Sequence, residues 1–392
     1  MNLQERVVER FKQAYGGVGP AFVVRSPGRV NLLGEHVDYN DGWVLPVAID
    51  RAVYLAVGKC DSVLASIGAM DLNESATFHV TETASKQNVV GHALPDWALY
   101  PAGVAHTLAA ANLTVTGLDA VYSSDVPRGA GLSSSAAVEL AFAVAWRELG
   151  GWSKNGMELA LLCQKAENQY VGVNCGIMDQ FACANGQTDH ALLLDCRSLD
   201  WQPVQLPSDV AIVIADTLKR RALGKSEYNN RRAACEEAVR VLSRALPDIK
   251  ALRDVSVEDF NKHAHLLDPF VAQRARHVVE ECDRTVKAVE ALKRNDIAAF
   301  GMAMNESHRT LRDLYEVSCS ELDAMVNAAQ PLDGCYGARL TGAGFGGCAV
   351  ALVAASAAEN FKRELATRYE AATGLKPEIY VCKASAGAGV VA

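Results

Sequence analysis

Residues 1–12 mix apolar and charged positions at a helical period and predict an amphipathic N-terminal helix. Four short runs rich in Val, Ile and Leu follow at 21–25, 29–33, 44–49 and 53–57, separated by Gly and Pro, and these predict strands. The spacing turns helical at 97–110 and at 133–149, where Gly150 and Gly151 supply a stop, and again at 153–169. A strand is expected at 190–195. The stretch 199–208 carries Pro203 and Pro207 and is the expected boundary between lobes. Beyond it the pattern predicts a buried strand at 210–215 and long helices at 227–244, 269–294 and 307–329. Strands follow at 337–341 and 348–353, then a helix at 357–373 closed by Gly374 and a strand at 378–381. This order predicts an α+β protein of two lobes, 1–205 and 206–392, with no internal repeat.

Half of the 392 residues are apolar and 21% are charged, which suits a compact chain rather than a disordered one. A net charge of -8 argues against a nucleic-acid partner or an anionic membrane surface. The N-terminus lacks the apolar core of a secretory signal, and no run approaches the roughly 20 apolar residues of a membrane span. Eleven cysteines without a C-x-x-C pair suggest reduced, buried thiols and a cytoplasmic setting. His263 and His265 near Asp268 are expected to be surface residues rather than a metal site.

Four segments carry candidate chemistry. In the first, 125–139, Gly129 and Gly131 bare the backbone where Ser133, Ser134 and Ser135 open a helix, so N–H groups, hydroxyls and the positive helix end converge as they would on a phosphate. A serine-capped turn is the plain alternative, and the G-K-[ST] of a Walker A loop is absent. The run 340–349 contains Gly342-Ala-Gly-Phe-Gly-Gly347, which precedes a strand rather than a helix and so suits a glycine-lined hairpin better than a dinucleotide fingerprint. In 25–42, Arg29, Glu35, His36 and Asp38 crowd a Gly- and Pro-broken loop, an inventory for gripping hydroxyls, against the alternative of a solvated turn. The fourth pairs Glu167 with Asp179, an acid flanked by apolar neighbours that needs a cation or a donor as partner, either as a base or as half of a structural ion pair.

Together, 25–42, 125–137, 176–181 and 341–348 resemble the GHMP small-molecule kinase family, and Gly28-Arg-Val-Asn-Leu-Leu-Gly-Glu-His-Val-Asp-Tyr-Asn40 is close to the signature of its galactokinase branch. The resemblance implies a two-lobed GHMP kinase fold, with mixed sheets packed by helices and the active site in the cleft between lobes. It implies ATP-dependent phosphorylation of the C1 hydroxyl of D-galactose by a monomer. Gly129, Gly131, Ser133, Ser134 and Ser135 would wrap the nucleotide phosphates, Ser135 and Glu167 would hold Mg²⁺, and Trp97 and Tyr100 would flank the adenine. Glu35, His36, Asp38, Gly176, Asp179 and Tyr228 would face the sugar. Asp179 matches the catalytic aspartate and Arg29 its arginine neighbour, which would stabilise charge on the transferring group. The rival expectations are a kinase for N-acetylgalactosamine or another sugar of the same family, and a non-catalytic galactose sensor, which the intact Ser135-Ala136 disfavours.

Overall fold

The computed structural model describes residues 1–220 and 224–391. In the first half, strands β1 (Phe22–Asn31), β2 (Trp43–Val44), β3 (Pro46–Lys59), β4 (Leu64–Ala69), β5 (Glu74–His79) and β6 (Leu118–Ser124) are accompanied by helices α1 (Leu3–Ala14), α2 (Leu99–Ala110), α3 (Ser134–Gly150), α4 (Gly156–Lys165) and α5 (Met178–Asn185). The chain continues through β7 (His190–Asp195), β8 (Trp201–Gln205), β9 (Val210–Asp216), α6 (Gly224–Leu242), α7 (Val257–His263), α8 (Pro269–Lys293), α9 (Ile297–Asp313) and α10 (Ser320–Ala329). It ends with β10 (Cys335–Leu340), β11 (Cys348–Ala354), α11 (Ala358–Thr373), β12 (Glu378–Cys382) and β13 (Gly389–Val391).

The strands form three sheets, ordered β13-β1-β3-β6-β4-β5, β10-β11-β9-β12 and β2-β7-β8. Among the described residues every strand pairing is antiparallel except β4 with β6. The N-terminal helix forms as its pattern predicts: Asn2 and Glu5 make a reciprocal capping box, and Val7 and Phe11 are buried against the first sheet. Helix α3 is buried from Ala136 to Ala137 and from Glu139 to Trp146, the signature of a central helix apolar on nearly all sides. Its N-terminus is therefore fixed by the core of the first sheet.

Three departures from the sequence pattern shape the site. The four expected strands in 21–57 are the short β2, which takes Val44, and two long ones, β1 and β3, paired through a register shift between Pro27 and Arg29. That irregularity turns the Arg29 amide away from β3 to donate to the Leu132 carbonyl at 3.1 Å. Gly28 permits the approach, since a Cβ there would lie 2.8 Å from the same oxygen. The expected connection at 199–208 instead contains β8, paired with β7. Its position at a sheet edge tolerates Pro203, which has no N–H to donate. The helix expected at 307–329 is two helices, α9 and α10. Between them, Arg274 donates to the Leu314 carbonyl and Arg231 to those of Tyr315 and Glu316, satisfying groups that a continuous helix would have paired internally.

Candidate active site

A cavity of about 490 Å³ opens where the four motif segments meet. One wall is the loop from β6 to α3. Gly129, Gly131 and Ser133 all have left-handed backbone, with φ of 68°, 83° and 58°, and the loop is anchored by buried Ala130 and Leu132. Ser133 does not cap α3, so the serine-cap alternative fails: its hydroxyl donates to Asp179 Oδ2 at 2.6 Å. The N–H groups of the first turn of α3, which have no acceptor within the helix, start beside Ser134 and Ser135 on the cavity lining, as an anion site requires.

Asp179, in the first turn of α5, stands between this wall and the next. Its Oδ1 accepts from Arg29 Nε at 2.9 Å and from Arg29 Nη2 at 2.6 Å, while Arg29 Nη1 donates to the Gly131 carbonyl at 2.6 Å. Arg29 is 4% exposed. Burial works against its charge, but Asp179 and Glu35 outweigh it and raise the guanidinium above its ordinary range. One buried arginine thus ties the loop between β6 and α3 to the Asp179 carboxylate.

The opposite wall is braced from a distance. Glu35 Oε2 accepts from Arg339 and from the Gly342 amide, the latter at 3.0 Å, joining the signature loop to the glycine hairpin between β10 and β11. The amides of Gly34 and Glu35 donate to Glu281 Oε1 at 3.0 and 3.3 Å, and Ser307 donates to the same oxygen at 2.7 Å. Arg284 donates to Glu281 Oε2. Burial opposes the Glu281 charge, yet Arg284 and the neighbouring His277 and Arg339 hold its carboxyl down at about 2. His36 has φ of 62°; its Nδ1 meets the Tyr39 hydroxyl at 2.8 Å and its Nε2 the Ala343 carbonyl at 3.3 Å, which places the ring proton on Nε2. Tyr39 continues to Tyr315 at 2.8 Å, and Tyr228 packs on both His36 and Tyr39.

Asp38 stands beside Gly176, so close that a Cβ there would fall 1.8 Å from Asp38 Oδ2. Burial, with the charges of Asp179 and Glu35 added, pushes the Asp38 carboxyl up to about 7. Glu167 follows α4 in a wide π-type turn, Ala166–Val171, and is 6% exposed. Burial first and Asp179 second raise its carboxyl to about 7, and Ser135, Cys175 and Gln180 all hydrogen-bond to it. Two hard oxygen ligands side by side, one hydroxyl and one carboxylate, beside a phosphate-ready helix end, fit Mg²⁺, which needs few protein ligands when phosphates and water complete its shell. Among the described residues no group of three or more His, Cys, Asp or Glu forms a self-sufficient metal cage.

Thus Arg29, Glu35, His36, Asp38, Gly129 and Gly131 line one cavity together with the three serines, Glu167, Gly176, Asp179 and Tyr228. Trp97 and Tyr100 do not line it. Trp97 donates to Glu74 at 2.7 Å and packs on Tyr122, while Tyr100 is part-buried, its hydroxyl raised to about 12 by burial and then by Glu167. Sequence reasoning missed Glu281, Arg339 and Gln180, which act on the site through other residues. Gln180 alone had a local signal, as the polar neighbour of Asp179.

The fold and this cavity define a GHMP small-molecule kinase. Residues 100–187 match the GHMP kinases N terminal domain and 288–371 the GHMP kinases C terminal domain, while 9–59 match the galactokinase galactose-binding signature. A galactokinase of Roseiflexus sp. strain RS-1 is 49% identical over 383 residues, covering 98% of this chain and 96% of its own. The crystal structure of Lactococcus lactis galactokinase complexed with galactose superposes with a TM-score of 0.93 at 35% identity, covering 99% of this chain and all of its own. Mevalonate kinase of Methanococcus jannaschii, with a TM-score of 0.64 and 20% identity over 92% of this chain and 98% of its own, shares the fold. The chain belongs to the galactokinase family.

Proposed function

We propose that this enzyme transfers the γ-phosphoryl group of ATP to the C1 hydroxyl of α-D-galactose, giving galactose 1-phosphate and ADP, in a cleft between lobes 1–205 and 206–392. The observation that carries this reading is the Asp179 carboxylate, held by Arg29 on one oxygen and Ser133 on the other where the serine loop meets the sugar signature. Galactose occupies the side lined by Glu35, His36, Asp38, Gly176 and Tyr228. An epimer would leave one of these buried polar groups unpaired, the basis for rejecting glucose.

Phosphoryl transfer through a loose transition state asks little of the nucleophile's charge, so positioning and electrostatics dominate. Asp179, paired with a guanidinium, orients the C1 hydroxyl and accepts its proton late. Arg29 offsets negative charge gathering on the transferring group. The amides following Gly129 and Gly131 and those at the start of α3 bind the phosphates, with the three serine hydroxyls beside them. Ser135 and Glu167 would hold Mg²⁺, which neutralises phosphate charge when bound. Trp97 and Tyr100 lie outside the cavity lining, but Tyr100 is near enough to Glu167 for that charge to act on its hydroxyl, and we assign the adenine to that side. An ADP-release assay over galactose, N-acetylgalactosamine, glucose and arabinose tests the proposal. Turnover of galactose well above glucose is expected. Turnover of N-acetylgalactosamine without galactose would reassign the substrate, and no turnover of any sugar would overturn the kinase reading.

A further inference from the structure

Gln180 follows Asp179 in the first turn of α5 and is fully buried. Its side-chain amide donates to two carboxyl groups at once, Glu167 Oε2 at 2.6 Å and Glu139 Oε2 at 3.1 Å. Glu139 comes from α3, one turn beyond Ser135, and has no exposed surface. Two acids and one amide therefore share a closed space between α3, the turn after α4, and α5. Neither Glu139 Oε1 nor Gln180 Oε1 has a hydrogen-bond partner among the described residues. A pocket built only for stability would not be expected to leave two polar oxygens unpaired, because each costs free energy that an apolar residue of the same shape would not.

What the arrangement does accomplish is orientation. Gln180 and Cys175 both engage Oε2 of Glu167, so its Oε1 is engaged by neither. A carboxylate on a wide turn has several rotamers, and the clamp selects one. Because Gln180 and Asp179 are consecutive on one helical turn, the element that carries the reacting carboxylate also sets the direction of the Glu167 carboxylate.

We propose that Gln180 is a positioning residue for Mg²⁺: it fixes one oxygen of Glu167 against Glu139 and so presents the other, beside Ser135, in the direction the ion requires. The proposal rests on the reading of Glu167 and Ser135 as metal ligands. Outer-shell partners of this kind change metal affinity by about 10- to 100-fold when removed. Their loss need not touch the sugar side.

The test is Mn²⁺ binding, followed by electron paramagnetic resonance, to the enzyme with a non-hydrolysable ATP analogue and galactose. Gln180→Met keeps the volume and removes both donors, while Gln180→Glu keeps the shape and cannot supply both N–H bonds. Both are expected to weaken Mn²⁺ binding by about 10-fold or more, with galactose affinity measured calorimetrically without metal unchanged. In steady state the Mg²⁺ requirement should rise while the galactose KM does not. A folded variant of either kind that binds Mn²⁺ within twofold of the parent would overturn the proposal. Glu167→Gln separates the two readings. If it weakens Mn²⁺ binding and the Gln180 variants do not, only the positioning role fails; if it has no effect, the metal assignment itself fails and the role of Gln180 with it.

Discussion

The two walls of the cavity are built by different means. The wall we assign to the phosphates is mostly backbone: two glycines and Ser133 in left-handed conformation, then the open end of a buried helix, tethered by Arg29 to the Gly131 carbonyl and by Ser133 to Asp179. The wall we assign to the sugar is side chains held by other side chains. Glu35 is joined to Arg339 and Gly342, its loop amides to Glu281, and His36 to Tyr39 and thence Tyr315. The difference follows from the ligands. A phosphate is met well by any converging set of N–H groups, so a backbone loop suffices. A hexose differs from its epimers by the direction of one hydroxyl, and direction is read only by donors and acceptors that cannot turn.

The sharpest test of that contrast is Glu281, which is buried and does not line the cavity. Glu281→Ala takes from the buried Arg284 its nearer acidic partner, leaving Glu280 at 3.8 Å, and frees the amides of Gly34 and Glu35. Breaking a buried pair in this way costs about 3 to 5 kcal/mol. Chemical denaturation should show a loss of that order, and the galactose affinity of the surviving folded protein should fall while the ATP KM stays near the parental value. An equal rise in both Michaelis constants would mean that the two walls are one mechanical unit.

This division also governs what could be read from the sequence. The motif residues on each wall stand close together in the chain, so Arg29 through Asp38, and Gly129 through Ser135, were visible as clusters. The braces were not, because they come from far away: Glu281 lies 247 residues from Gly34, and Arg339 lies 304 from Glu35. The same holds for the fold. Helix α8 is legible because its apolar face repeats over 25 residues. The break between α9 and α10 is hidden because Tyr315 and Val317 are buried and continue the apolar pattern, while the arginines that capture the freed carbonyls come from α6 and α8. Strands β4 and β5 are hard to read because they alternate buried Ala, Ile and Phe with Ser, Gly and Thr, a weak contrast. In β1, Pro27 and Gly28 read as a stop where the strand only shifts register. Trp97 and Tyr100 sit at helical spacing, which cannot tell a core aromatic from a cavity wall.

Asp38 offers a second, smaller test, on the sugar side alone. Its carboxyl titrates near 7 when folded, against about 3.9 in an unfolded chain. Between those values the folded state holds more protons, so this group's contribution to stability is full below about pH 4 and is lost as pH rises through 7. Asp38→Asn removes that loss. The ligand-free variant should be more stable than the parent by about 2 kcal/mol at pH 8, with the gap narrowing toward pH 4. Thermal unfolding at pH 4.5, 6 and 8 would show it. A gap that stayed constant or widened toward acid would mean that Asp38 is not held against its charge.

The smallest effects come from two glycines, one on each wall, that are glycines for different reasons. Gly176 does not have positive φ, so an alanine there suffers no backbone strain; its Cβ instead falls on Asp38 Oδ2, and the carboxylate must move. Gly129 is the reverse. Its Cβ would meet only the Arg220 side chain, at an ordinary 3.6 Å, but a φ of 68° costs an alanine about 1 to 2 kcal/mol. Gly176→Ala should therefore raise the galactose KM by about tenfold, the equivalent of 1.4 kcal/mol, with the ATP KM unchanged. In Gly129→Ala the strain falls on both free and bound states and only partly on binding, so a rise of about threefold in the ATP KM is expected, with the galactose KM unchanged. Steady-state kinetics on the two variants reads both constants directly. If Gly129→Ala changed the galactose KM as much as Gly176→Ala does, the backbone loop would be positioning the sugar as well, and the separation of the walls by ligand would not hold.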